Sequence, residues 1–172
     1  MTQFDDRERA FETKFAHDEE MKFRITARRN KLLGQWAARQ MGLNEAETES
    51  YAKDVVRSDF EEAGDHDVIR KVLGDLTAAG VDCDEDKLAE ALRNKEIEAL
   101  IRTGIPDAEV TIRDLVGDGD HYAARVVAKS FEGMSRIKQH QAVYAALGGR
   151  VGGELHALQL ETAAPNSEKT SD

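Results

Sequence analysis

Residues 84–104, DEDKLAEALRNKEIEALIRTG, contain a contradiction that decides the architecture. Leu88, Ala91 and Leu92 share one helical face. Ile97, Leu100 and Ile101 share another, about half a turn away at ~100° per residue. As one continuous helix, the stretch points its two apolar patches in opposite directions. The simplest resolution is that each patch serves a different core. Arg93-Asn94-Lys95 is then a junction, either a break or part of a helix shared by two domains.

On the N-terminal side of this junction everything reads as helix. From Phe4 to Met41 there is no proline, and Gly34 is the only glycine. Phe4, Phe11 and Phe15 are spaced by seven and four, so they lie on one face. Met21, Ile25, Leu32, Leu33 and Trp36 continue roughly the same stripe. One helix of this length would be ~57 Å long at ~1.5 Å per residue, more than a small bundle can cover. Its N-terminal third, sparse in apolar residues and dense in charge, is the part expected to project. Gly42 and Asn44 then mark a stop and a restart, with Glu45 and Glu47 in the new first turn. Ala52, Val55, Val56, Phe60 and Ala63 define a second amphipathic helix ended by Gly64. Asp65 is placed to cap a third, whose face is Val68, Ile69, Val72, Leu73 and Leu76. Gly80 closes it, and Asp82 or Asp84 caps the next.

On the C-terminal side the period changes. After Pro106-Asp107, Val110 and Ile112 alternate with Glu109, Thr111 and Arg113, which predicts a strand. Gly117-Asp118-Gly119-Asp120 is turn chemistry. Tyr122, Ala124, Val126 and Ala128 alternate again, completing a hairpin. Gly133 precedes a helix expected to present Ile137, Tyr144 and Leu147 on one face. A glycine-rich loop spans 148–153. Leu155, Ala157, Leu158 and Leu160 suggest a last, more buried strand. The polar tail 166–172 has the composition of a disordered segment. The expected fold class is α + (α+β): a helical bundle with a long first helix over 1–93, then a small α-β-β-α-β domain over 94–165.

Composition supports two unlike halves. The 172 residues carry 34 acidic and 24 basic side chains, a net charge of −10. Residues 1–93 hold 22 acids and 15 bases, whereas 94–172 hold 12 and 9. The acidic balance makes the chain a poor generic polyanion binder. One cysteine, Cys83, excludes a disulfide and a zinc site built from local Cys pairs. No apolar run approaches the ~20 residues needed to span a bilayer, and the charged start MTQFDDRER lacks a signal-peptide pattern, so a cytoplasmic setting is expected.

No catalytic set is visible: there is no P-loop, G-x-S-x-G, H-E-x-x-H or G-x-G-x-x-G after a strand, so the chain does not read as an enzyme. His121 follows the Gly-Asp turn, His140 lies on the helix and His156 starts the last strand. Two neutral imidazoles can ligate a transition metal or half of an iron–sulfur cluster, but the remaining ligands must come from a partner. An isolated histidine is more often structural. Cys83, in the other segment, reads equally as an inert buried thiol. Gly149-Arg150-Val151-Gly152 spells the G-x-x-G of nucleic-acid-binding KH loops, although a loose turn after a helix explains it as well. Arg136, Lys138, Gln139 and His140 form a weak basic set that could touch phosphate.

Two family resemblances rest on longer motifs. F-D-D-R-E-R-A-F-E-x-K-F-A-H-D-E-E at 4–20, A-R-R-N-K-L-L-G-x-W-A-A at 27–38, D-F-E-E-A-G-D-x-D-V at 59–68 and D-L-x-A-A-G-V at 75–81 resemble the zeta subunit family, the alphaproteobacterial inhibitor of F-type ATP synthase. That resemblance implies a four-helix bundle and a mobile N-terminal arm that enters a catalytic interface and blocks ATP hydrolysis. The arm maps onto residues 1–17, with Phe4, Arg7, Arg9, Phe11 and Phe15. The family pattern is lost beyond Leu92. I-P-D-A-E-V at 105–110, G-D-G-D-H-Y at 117–122, F-E-G-M-S-R-I-K-Q-H-Q-A-V-Y at 131–144 and G-G-E-L-H-A-L at 152–158 resemble the BolA family. It implies a class II KH-like fold, and a partnership with monothiol glutaredoxins through a shared [2Fe-2S] cluster. The cluster ligands fall on His121 and His156, with the glutaredoxin cysteine and glutathione completing the set. The resemblance also offers an alternative, a DNA-binding transcriptional regulator using Arg136 to His140. The chain thus resembles a zeta-like inhibitor fused to a BolA-like domain.

Overall fold

The computed structural model describes residues 2–59, 65–117, 121–148 and 157–165. Four helices come first: α1 (Gln3–Gln40), α2 (Glu45–Ser58), α3 (His66–Ala78) and α4 (Glu85–Gly104). Strands β1 (Glu109–Asp114) and β2 (His121–Val127), a short 3-10 turn (Lys129–Phe131), helix α5 (Arg136–Leu147) and strand β3 (Ala157–Ala163) follow. Phe60, Ala63 and Gly64, expected to finish the second helix, lie outside the described residues, as do the loop 149–153, Leu155 and the tail 166–172.

Helix α4 runs unbroken through Arg93, Asn94 and Lys95, and its opposed patches enter different cores. Leu88, Ala91 and Leu92 pack with Leu33 and Ala37 of α1, Val55 of α2, and Val68, Val72 and Leu76 of α3. Ile97, Leu100 and Ile101 pack with Tyr122 and Val126 of β2, Phe131, and Val143 and Leu147 of α5. The junction is therefore a shared helix. Helix α1 also reaches across it: Ile25 packs against the second core, and the Arg28 guanidinium donates to Thr103 Oγ1 at 3.3 Å.

Local chemistry explains most helix ends. Asn44 Oδ1 accepts from the Glu47 amide at 2.9 Å, and the Glu47 carboxylate accepts from the Asn44 amide at 3.0 Å, a reciprocal capping box. Asp84 Oδ1 caps α4 by accepting from the Lys87 amide at 2.8 Å. Asp65 departs from expectation. Its side chain makes no cap: its backbone is helical (φ −88°, ψ −5°) where a cap is extended, and its Oδ1 accepts from buried Arg29 at 2.8 Å. Two helical glycines permit close crossings. A Cβ on Gly34 would lie 2.8 Å from the Ala52 Cα, and one on Gly104 would lie 2.6 Å from the Ala146 Cβ.

The sheet order is β1-β2-β3, with β2 antiparallel to β1 and parallel to β3. Alternation in β2 buries Tyr122, Ala124 and Val126 against the helices, as the period of two requires. Two expectations are corrected. The last strand is an edge strand with Leu158 and Leu160 half-buried; the buried strand is the central β2. Helix α5 buries Gln139, Val143 and Leu147, whereas Ile137 is 71% exposed and Tyr144 is 40% exposed. Only Leu147 of the expected trio faces the core.

Candidate functional site

The first candidate is the start of α1. Every described residue up to Glu20 is exposed, so about five turns of helix, ~27 Å, stand clear of the fold. Phe4, Phe11 and Phe15 are 75%, 71% and 60% exposed. Solvated phenyl rings forgo the ~1.5–3 kcal/mol each would gain by burial, and three on one helical face form an exposed apolar stripe. Arg7 and Arg9 are also exposed, but Arg7 flanks the phenylalanine stripe and Arg9 lies on the far side of the helix. The arm starts on a capping box in which the Thr2 amide donates to Asp5 Oδ2 at 3.3 Å, and the pairs Lys22–Glu19 and Arg24–Glu20, at 3.7 and 2.7 Å, lie at its base. Each such exposed pair contributes only a few tenths of a kcal/mol.

The second candidate is one end of the sheet. His121 opens β2, half-buried, and its carbonyl accepts from the Leu115 amide at 2.8 Å. Alternation puts it with Ala123 and Arg125 on the sheet face opposite the core. Asp114 Oδ1 accepts from the amides of Val116 and Gly117 at 3.3 and 2.8 Å, pinning the turn that leaves β1. Across β2, the register partner of His121 is Ala157. His156 lies outside the described residues, but it is the residue next to Ala157 in the chain. Cys83 sits at the other module, packed against the first core, with its thiol pushed up by burial and then by Asp84.

The four residues considered for nucleic acid do not form one surface. Gln139 is buried: its Nε2 donates to the carbonyls of Phe131 and Met134 at 3.3 and 3.1 Å, and its Oε1 accepts from Thr162 Oγ1 at 2.8 Å. It ties the 3-10 turn and α5 to β3, and drops out of the set. Arg136 and Lys138 are exposed two residues apart, hence on different sides of the helix, and His140 is half-buried.

Three features were not foreseen. Asp107 clamps the turn after β2, accepting from the Ser130 amide at 2.8 Å and from Ser130 Oγ at 2.9 Å; these bonds pull its carboxyl below the usual range. Arg29, buried in α1, donates to Asn30 Oδ1 and pairs with Asp65. At the junction, buried Glu98 lies between Lys95 at 3.0 Å and Arg102 at 3.1 Å, on the wall of a cleft of about 590 Å³ that also involves Trp36 and Ile112. Helical spacing sets Lys95 and Arg102 one turn either side of Glu98 but does not signal the burial of that carboxylate, and the Asp107–Ser130 and Arg29–Asp65 contacts join residues far apart in the chain, which leave no local signal.

With this geometry in place, comparison with known proteins separates the two halves. Residues 1–101 match the family model described as ATPase inhibitor subunit zeta, and residues 107–167 match that of BolA-like protein. The chain belongs to the zeta inhibitor family and carries a BolA-like domain. The BolA-like half is 36% identical over 72 residues to an uncharacterised protein of Rickettsia prowazekii, covering 42% of this chain and 94% of that protein. The chain is 32% identical over 107 residues to human BolA-like protein 1, with 56% of this chain and 78% of that protein covered. Among solved structures, a bolA homologue from Coxiella burnetii is 33% identical, with 43% and 92% covered and a TM-score of 0.38. The zeta-family match ends at residue 101 and so includes the Ile97-to-Ile101 face that packs in the second core. Among the described residues, no helix is long and apolar enough to cross a membrane.

Proposed function

We propose that this is a non-enzymatic, cytoplasmic, two-module binding protein. Its zeta-type arm, residues 1–17, docks on the catalytic head of an F-type ATPase and inhibits ATP hydrolysis. The observation that carries this reading is the bare, phenylalanine-striped helix that leaves the fold at Met21. It fits the helix-in-groove mode, in which apolar anchors at helical spacing fill a hydrophobic groove on a partner. The test is inhibition of ATP hydrolysis by the full chain and by the chain lacking residues 1–17. Loss of inhibition on deletion is expected; equal inhibition removes the arm from the account.

The BolA-like module, in this reading, binds a monothiol glutaredoxin and shares a [2Fe-2S] cluster with it, for iron–sulfur trafficking or iron regulation. His121 and His156 would supply this chain's ligands. The partner's cysteine and glutathione would supply the thiolates that this chain lacks. What supports the assignment is the register of His121 opposite Ala157, the residue next to His156 in the chain, together with the place of His121 on the sheet face opposite the core. Such a cluster sits in a thiolate–imidazole environment, and this chain's part would be to supply imidazole nitrogens. Co-expression with a glutaredoxin should yield a complex whose visible spectrum changes with His121→Ala and with His156→Ala. An unchanged spectrum overturns the ligand assignment. Burial of Gln139 takes one residue from the alternative of DNA regulation, and Arg136 and Lys138 point to different sides of α5.

A further inference from the structure

The arm is polarised around its apolar stripe. At ~100° per residue, Asp5, Glu8 and Glu12 fall ~40–100° to one side of the line through Phe4, Phe11 and Phe15. Arg7 and Lys14 fall ~60–80° to the other side. Asp18 also lies on that second side, but below Phe15, outside the span of the three rings. All of these side chains are exposed, and neither Glu8 nor Glu12 has an ion partner among the described residues. Carboxylates needed only for solubility would be spread around the free helix. Here, beside the three rings, Glu8 and Glu12 border one edge of the apolar stripe and Arg7 and Lys14 the other, while Asp6 and Arg9 lie on the far side of the helix, away from it.

We infer that the arm reads a groove of matching polarity: an apolar floor for the three phenyl rings, a cationic rim facing Glu8 and Glu12, and an anionic rim facing Arg7 and Lys14. This rests on the inhibitor reading above and adds to it the chemistry and orientation of the docking surface. The occupant is a protein groove on the ATPase catalytic head. Charge complementarity fixes which way round the helix lies, because rotation about its axis or reversal of its direction puts like charges together.

The test compares full-length variants with the same charge step on different sides of the helix. Glu12→Gln and Thr13→Lys each add one positive charge; Glu12 borders the stripe, and Thr13 lies opposite it. Inhibition of an alphaproteobacterial F-type catalytic head is titrated at two salt concentrations, and arm helicity is followed by circular dichroism. Glu12→Gln should raise the half-inhibitory concentration roughly three- to tenfold and flatten its salt dependence, whereas Thr13→Lys should change it less than about twofold. Lys14→Gln decides between this account and diffuse attraction. It makes an acidic arm more acidic, so diffuse attraction to a basic head predicts tighter inhibition; a polarised groove predicts weaker inhibition. Equal effects of Glu12→Gln and Thr13→Lys, or tighter inhibition by Lys14→Gln, overturn the inference and leave the inhibitor reading standing. No inhibition by the unaltered chain overturns the inhibitor reading itself, and the inference with it.

Discussion

Replacing Ile101 by alanine should unfold more than the domain it belongs to. Ile101 is fully buried in the second core, on the half of α4 that faces β2 and α5. Truncation of such a side chain costs about 2–5 kcal/mol, the lost transfer energy plus the cavity left behind. In a chain of this size each kcal/mol lowers Tm by about 2–4 °C, so a mid-range loss of ~3 kcal/mol shifts Tm by roughly 6–12 °C. The informative quantity is which probe moves. The chain has one tryptophan, Trp36, and it packs against the first core. If α4 binds both cores into one cooperative unit, Ile101→Ala lowers the Trp36 fluorescence transition and the far-ultraviolet circular dichroism transition together. Leu88→Ala, on the opposite face of α4, should do the same in reverse. A Trp36 transition left in place while a separate dichroism transition falls would refute the shared helix as a mechanical link.

Further outcomes follow from single contacts. Gly104→Ala places a methyl 2.6 Å from the Ala146 Cβ and should cost about 1–3 kcal/mol, with Ala146→Gly restoring part of the loss; denaturant midpoints measure both. Asp107 has a depressed folded-state pKa, so its contribution is present above the unfolded value of ~4 and fades as pH falls through the folded one. Asp107→Asn should therefore flatten the acid limb of the stability profile and change it little when both aspartate forms are protonated. Gln139→Leu strips the Phe131 and Met134 carbonyls and the Thr162 hydroxyl of their partner, for a loss of about 1–3 kcal/mol by chemical denaturation.

What could be read in the sequence was what local periodicity encodes. The opposed faces of residues 84–104 pointed to two cores, and the alternation at Tyr122, Ala124 and Val126 marked a strand, although not its central place in the sheet. The Asn44 and Asp84 caps sit next to the helices they start, so their signal is local as well. Long-range partners were not legible. Whether Arg93-Asn94-Lys95 breaks or continues the helix depends on packing from both sides, where Ile25 of α1 reaches the second core. Helix α5 misled because its buried position is a glutamine, made tolerable there by two carbonyls and a hydroxyl; Ile137 and Tyr144, the better apolar candidates, face out. Asp65 misled for a related reason, since its backbone is helical and its carboxylate pairs with buried Arg29, distant in sequence. Of the site residues, the Phe4/Phe11/Phe15 stripe was visible as a pattern, but its bare exposure depended on where the bundle ends.

That exposure is the claim most directly open to measurement. Phe11 and Phe15 touch no core, so replacing both by alanine should leave thermal stability unchanged. In a titration of F-type ATPase activity, the same variant should lose inhibition by at least tenfold relative to the unaltered chain, as expected for two interface anchors of ~1 kcal/mol or more each. Full inhibition by the double variant, with its fold intact, would contradict the account.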